Sequence, residues 1–235
     1  WSSDVCSSDL ANGKKVLHTG DFRGHGYLSK GLLPTIEKLI LPRGGVDFLI
    51  TEGTMLSRLG ERVMSENELQ REAGEIMKRY KNVFVMCSST DMERLASFYA
   101  ANKHLKYRPL VCDTFQKNIF EIFTKSAGNH TSLFHFDKAY DFNPTNTKLM
   151  DWVEDKGFCM FVRATDKFKD YYQTLISRLD PNDTVLIYSM WKEYINDSGK
   201  HAIQRYIDFV SMFPHMEKLH TSGHASPEFL AEVCN

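Results

Sequence analysis

Residues 17–26 read Leu17-His18-Thr19-Gly20-Asp21-Phe22-Arg23-Gly24-His25-Gly26. The stretch sets an acid directly after a glycine, at the end of the short apolar run Val16 to Thr19. An Asp in that position can project from a strand end into a site built by neighbouring loops. The same arrangement recurs downstream. The apolar run Val46 to Thr51 leads straight into Glu52 and predicts a buried strand with a second acid at its end. Parallel α/β folds gather their sites at the carboxyl ends of strands, so both acids are expected at one sheet edge.

Outward from these two acids, strand-like and helix-like segments alternate. Asn12-Gly13 is a hairpin signal before the first strand. Leu32, Leu33, Ile36, Leu39 and Ile40 follow helical spacing. Ser65-x-x-Glu68 is a capping box, followed by Leu69, Ala73, Ile76, Met77 and Tyr80 on one helical face. Val83 to Cys87 predicts a strand, and Thr90-x-x-Glu93 a second capping box that opens a helix through Ala101. Leu110 to Cys112, Phe158 to Val162 and Thr184 to Tyr188 predict further strands. Phe115, Ile119, Ile122 and Phe123 mark one helix. Phe168, Tyr171, Tyr172, Leu175 and Ile176 mark another, and Ala202, Ile203, Tyr206, Ile207 and Val210 a third. Ser226-Pro227-Glu228 starts a last one, with Ser as N-cap and Pro at the first helical position. Strands alternating with helices imply an α/β protein with a parallel sheet covered on both faces.

Composition narrows the class. The 235 residues have hydrophobic and charged fractions of 42% and 25%, those of an ordinary globular protein. No apolar run approaches the ~20 residues that span a bilayer, so no membrane partner is expected. Residues 1–10, Trp1 to Leu10, read like a translated sequencing adapter and are set aside as an artefact. Asp4 to Leu10 is what GACGTGTGCTCTTCCGATCT encodes in one frame. Without Asp4 and Asp9 the acidic count falls from 30 to 28 against 29 basic residues, and the net charge becomes +1 rather than −1. Such a near-neutral balance argues against a generally basic nucleic-acid coat and leaves room for a local basic groove. Cys87, Cys112, Cys159 and Cys234 form no C-x-x-C pair, and three sit in apolar runs. Buried thiols in a reducing cytoplasm are the expectation.

Two further motifs accompany Asp21. They are Thr51-Glu52-Gly53-Thr54 and His220-Thr221-Ser222-Gly223-His224-Ala225-Ser226. Together with Thr19-Gly20-Asp21-Phe22 they resemble, in order and spacing, the motifs of metallo-β-lactamase-fold hydrolases of the β-CASP branch, similar to ribonuclease J. The resemblance implies a partial metallo-β-lactamase αββα domain with an inserted Rossmann-like β-CASP domain. Residues 11–60 and 214–235 would be two pieces of the first, and residues 61–213 the second. The family's main metal motif, H-x-H-x-D-H, occurs nowhere in the chain. A gene fragment broken at both ends, inactive by itself, is the corresponding expectation.

The resemblance also implies roles. Asp21 would be a metal ligand, in a centre that holds two Zn²⁺ in the intact family member. Glu52 and His224 would be the catalytic pair, the carboxylate fixing the ring and favouring its protonated form. His224 would then act as general acid at the leaving oxygen. Ser222 and Ser226 would add hydroxyl donors to the substrate, with Ser226 also placed to cap a helix. Apart from the resemblance, Ser88 and Ser89 lie at the end of a strand and the start of a helix, a geometry that can bind phosphate. His18 and His25 read as supporting or surface residues, and His220 as structural. Trp191-Lys192-Glu193-Tyr194 offers aromatics that can stack on bases or pack in a core. The implied function is zinc-dependent hydrolysis of single-stranded RNA by metal-bound hydroxide, in the cytoplasm, with homo-oligomerisation left open. Rival readings are a hydrolase of the same fold acting on DNA or on a small phosphoester or lactone, and a non-enzymatic α/β binding module.

Overall fold

The computed structural model describes residues 6–9, 12–58, 60–105 and 108–234. The chain is an α/β protein that divides into two compact units. One contains the residues up to Glu66 together with those from Thr221 onward, and the other spans Asn67–His220. The boundaries thus fall a few residues beyond 60 and 213. Among the described residues, no helix is long and apolar enough to cross a membrane.

The first unit carries a three-stranded sheet of order β1-β2-β3, with β1 at Cys6–Asp9, β2 at Lys15–His18 and β3 at Phe48–Ile50. The backbone of β1 runs antiparallel to β2, across the turn that Asn12-Gly13 predicted, and β3 is parallel to β2. So a strand partner for β2 lies within the segment set aside at the sequence level. The region predicted helical from Leu32 breaks into short pieces. Helix α1 covers Leu32–Thr35, a π-helical turn Ile36–Ile40, and a 3₁₀ turn Leu41–Arg43. Only Leu32 of these is buried, and Leu39 is 53% exposed. The strand expected to be buried is also corrected. Phe48 and Ile50, on the same face of β3, are each about half exposed, so that face is left uncovered. The unit closes with α8, Pro227–Cys234, numbered after the seven helices that precede it.

In the second unit a six-stranded sheet has the order β6-β5-β7-β4-β8-β9, with every pair parallel. Strand β4 is Asn82–Met86, β5 Leu110–Cys112, β6 Ala139–Asp141, β7 Phe158–Val162, β8 Thr184–Tyr188 and β9 Met216–Lys218. Helices connect them: α2 at Glu66–Arg79, α3 at Met92–Lys103, α4 at Thr114–Ala127, α5 at Thr147–Lys156, α6 at Asp166–Ile176 and α7 at Gln204–Val210. Every residue of β4, β5, β7 and β8 is buried, as continuous apolar strands in a two-sided parallel sheet must be. Phe84 sits at the middle of the core, with edge-on ring contacts to Phe158, Tyr172 and Phe213 at 5.0, 5.7 and 5.0 Å.

Three details depart from the pattern reading. The N-cap of α3 is Asp91, whose carboxylate accepts from the Arg94 N–H at 3.1 Å, and not Thr90. The cap lies one residue nearer the helix, so the capped donor is the Arg94 N–H and not the Glu93 N–H that the capping box assigned to threonine. On α4 the buried aromatic is Phe120, while Phe115 and Ile122 are more than half exposed. Residues 214–220 belong with the second unit, because β9 adds to β8 through the Leu186, Ile187 and Tyr188 register. Gly157, at φ +70°, ends α5, and a Cβ there would collide with the Lys81 carbonyl as the chain turns into β7.

Candidate functional site

Register brings the two acids together. Val16, Leu17 and His18 of β2 face Phe48, Leu49 and Ile50 of β3. The ladder extends one step beyond, where the Thr19 N–H donates to the Ile50 carbonyl at 3.0 Å and the Thr19 hydroxyl to that of Thr51 at 3.1 Å. Each chain then leaves the sheet at the same edge. Gly20 turns with φ +59°, a left-handed conformation that suits glycine, and delivers Asp21. On β3 the residue after Thr51 is Glu52.

The third member arrives from the loop before α8. His224 Nδ1 lies 2.9 Å from Glu52 Oε2. Oxygens or ring nitrogens of Asp21, Glu52 and His224 all fall within 4.8 Å of one another. Three residues separated by up to 203 positions thus converge, all within the first unit.

Glu52 is the hub of this arrangement. Its Oε1 accepts from the Ala225 N–H at 2.8 Å and the Phe22 N–H at 3.2 Å, while Oε2 faces the imidazole. Its side chain is only 4% exposed. Burial alone would raise the carboxyl pKa. The hydrogen bonds from His224, Ala225 and Phe22 more than offset burial and hold it below the usual glutamate range. The same hydrogen bond raises the pKa of His224 against the opposing effect of its own partial burial, and the nearby charges of Glu52 and Asp21 add to the rise. The pair therefore favours carboxylate and imidazolium, a cation held at a defined place with 28% of its side chain open to solvent.

The loop that presents His224 is itself fixed. Ser222 is buried, and its hydroxyl accepts from the His224 N–H at 3.1 Å. The Ser222 carbonyl lies 2.7 Å from His25 Nε2, so the imidazole N–H donates to it. Thr221, also buried, accepts from the Met64 N–H and donates to the Met64 carbonyl. The Ser226 hydroxyl accepts from the Phe229 N–H at 3.3 Å, as an N-cap should. Phe229 packs edge-on against Phe22 and lies so close to Gly24 that a Cβ there would overlap its ring. Buried Glu66 pairs with Arg23 at 3.1 Å and anchors the loop that follows Asp21.

Of the residues singled out in the sequence, Asp21, Glu52 and His224 meet, and Ser222 and Ser226 support the third. Both of these serine hydroxyls are engaged within the loop and the cap. Ser88 and Ser89 belong to the other unit, after β4, where they line a cavity. His18 is not part of the cluster. His25 has a positioning contact that pattern reading could not assign, because its partner is a backbone carbonyl 197 residues away. The same holds for Arg23 and Glu66. His220 Nδ1 lies 3.2 Å from Nη1 of buried Arg94, which also donates to the Ser189 hydroxyl at 2.9 Å. Cys87, Cys112 and Cys159 are buried and Cys234 is exposed, none of the four is in a disulfide, and burial pushes the Cys112 and Cys159 thiols up to about 12. Such thiols are poor nucleophiles.

Metal binding can be tested on the donors themselves. Tetrahedral zinc needs about four donors, three of them from protein in catalytic sites. The carboxylate of Glu52 is taken up by three hydrogen bonds. An imidazolium has no lone pair to offer, so a protonated His224 is not a ligand. Asp21, Glu52 and His224 offer one ligand atom each within 4.8 Å of one another, and a metal there would compete with the Glu52–His224 hydrogen bond, which leaves exposed Asp21 as the most available donor. The chain matches no family model and no curated protein sequence.

Proposed function

We propose that the chain carries the proton-donating part of a hydrolase for phosphodiesters of single-stranded RNA, of the β-CASP metallo-β-lactamase type. The observation that carries this reading is the contact at 2.9 Å between Glu52 and His224, with the glutamate pKa lowered and the histidine pKa raised. In it, His224 is the general acid. Its Nδ1–H is tied to Glu52, which leaves Nε2–H to approach the departing oxygen of a cleaved phosphodiester. Glu52 stabilises the imidazolium and fixes the plane of the ring. Asp21, exposed at the sheet edge, supplies one ligand of a zinc centre whose other ligands lie outside this cluster.

The test uses the complete gene product that contains this sequence. Metal-dependent cleavage of labelled single-stranded RNA is expected. His224→Ala should keep the metal content and slow turnover by about 10²–10⁴-fold, the usual contribution of a general acid. Asp21→Ala should lower metal content and activity together. An unchanged rate for His224→Ala at saturating RNA would remove the acid assignment. Hydrolysis of DNA or of small esters alone would replace the substrate, and absence of any hydrolysis would favour a binding module.

A further inference from the structure

The second unit has a cavity of its own, independent of the hydrolase reading. Its sheet order places β4 beside β7. From β4 the chain crosses through α3 to β5 on one side, and from β7 it crosses through α6 to β8 on the other. Loops leaving two adjacent parallel strands in opposite directions open a crevice at their carboxyl ends, the usual ligand position in such sheets. A cavity of about 300 Å³ fills this crevice. Ser88 and Ser89 line it after β4, Arg163 and Thr165 after β7, and Arg205 and Tyr206 from α7.

Among the described residues, its charged lining consists of the two arginines. Arg163 is held from behind. Its Nη2 donates to Asp113 Oδ2 at 2.6 Å, and Lys167 donates to the same oxygen at 3.2 Å. Asp113 is buried after β5, and its other oxygen accepts from the Gln116 N–H. Phe115 and Phe168 lie 4.7 and 5.0 Å from the guanidinium carbon. Nη1 reaches the Ser89 hydroxyl at 3.4 Å. A guanidinium has five donors, so three remain for a ligand after these two bonds. Arg205 is exposed, rests over the Tyr206 ring at 5.3 Å, and has no carboxylate partner among the described residues. Finally, Thr165 is the N-cap of the eleven-residue α6, yet its hydroxyl makes no capping bond; the Phe168 N–H donates to the Thr165 carbonyl at 3.0 Å, which leaves the Asp166 and Lys167 N–H groups for a ligand beside the cavity. The nearby Asp166 carboxylate is directed to Lys169 at 3.1 Å and is 94% exposed.

We propose that this crevice binds a phosphomonoester dianion. Two guanidiniums offer paired donors that match the oxygens of a phosphate, and one of them is preorganised by a buried carboxylate and two rings. Hydroxyls of Ser88, Ser89 and Thr165 add neutral donors. Met86, Val162, Met190 and Tyr206 make the remainder of the lining apolar, and they fit the organic part of a small nucleotide. The same phosphate chemistry is presented by free inorganic phosphate, and the experiment separates the two sources.

Isothermal titration calorimetry on the full chain, with adenosine monophosphate, inorganic phosphate and adenosine, tests this site. Adenosine monophosphate should bind, and adenosine should bind at least about tenfold more weakly. Exposed Arg205 can be replaced without disturbing the core, and Arg205→Gln should weaken adenosine monophosphate about tenfold or more, the loss of a charge-assisted contact. His224→Ala should bind it as the wild type does. Tighter binding of the nucleotide than of inorganic phosphate supports the site and assigns it to nucleotides. Equal binding supports the site and assigns it to the phosphate group alone. Unchanged affinity in Arg205→Gln, or no heat with wild type up to 10 mM ligand (about 10 mM being far above a useful affinity), overturns the proposal. Loss in His224→Ala with retention in Arg205→Gln also overturns it, because the phosphate then sits in the other unit.

Discussion

Replacing Glu52 by Gln tests the central pair with the least change in shape. Glutamine keeps an oxygen for the Ala225 and Phe22 N–H groups, now at 2.8 and 3.2 Å from Oε1. In place of Oε2 it sets an NH₂ group 2.9 Å from His224 Nδ1. A protonated ring would then present N–H to N–H, so the neutral tautomer with an accepting Nδ1 is preferred. A hydrogen bond to a charged group is worth about 1.5–3 kcal/mol and a neutral one about 0.5–1.5. The difference of about 1–1.5 kcal/mol corresponds to roughly one pKa unit at 1.36 kcal/mol each. His224 is raised in the wild type, so the variant should titrate about one unit lower. The effect on stability has a defined pH range. The raised histidine contributes below its ordinary 6.5 and loses that contribution as pH climbs through its folded value. The lowered glutamate contributes above its ordinary 4.5 and loses that as pH falls through its folded value. The pair is therefore worth most between about 4.5 and 6.5, and Glu52→Gln should cost more stability at pH 5.5 (about mid-window) than at alkaline pH. Imidazole proton NMR titration, with nine histidines to assign, reads the first quantity. Urea unfolding across pH reads the second. An unchanged His224 titration in Glu52→Gln would refute the coupling, whatever its effect on stability.

Other consequences are more direct. Metal analysis of the purified chain should find fewer than two zinc ions per molecule, and a stoichiometric dinuclear centre would contradict the donor argument. Phe84→Ala should cost about 3–5 kcal/mol in urea unfolding, since the ring is 1% exposed and meets three others edge-on. Asp113→Asn should destabilise by about 1–3 kcal/mol near neutral pH. Burial would raise the Asp113 pKa, but the Gln116 N–H and Arg163 hold it below 3.8, so its contribution is present above that value and is lost as pH falls through the folded one. Wild type and variant should therefore converge in stability towards acid pH, and parallel pH profiles would contradict this.

How much of this was legible in the chain depends on the range of the interaction. Asp21 and Glu52 could be placed at one edge because each directly follows an apolar strand, and a parallel register then puts both at the same end. Strands β5, β7 and β8 were readable to the residue, because a strand buried on both faces is a continuous apolar run. Helix α5 and strands β6 and β9 were not. The two strands are three residues long, have no fully buried residue and lack a continuous apolar run. The pairing of Glu52 with His224 was expected only through resemblance, since nothing local links residues 172 apart.

Exposure and partnership were decided by tertiary structure alone. Phe48 and Ile50 look like core residues in sequence, and only the tertiary structure leaves their face of β3 uncovered. The cap of α3 went to Asp91 because side-chain geometry, not spacing, chooses between neighbouring acceptors. Arg163 carries no signal in its own segment. It becomes notable because β5 and β7 are neighbours, which brings Asp113 behind it, and because the chain leaves β4 and β7 in opposite directions. Sequence by itself determined the alternation of elements and the two acids that end strands, since these follow from local periodicity. The crevice and the raised pKa of His224 depend on contacts between distant segments, which exist only once the chain has folded.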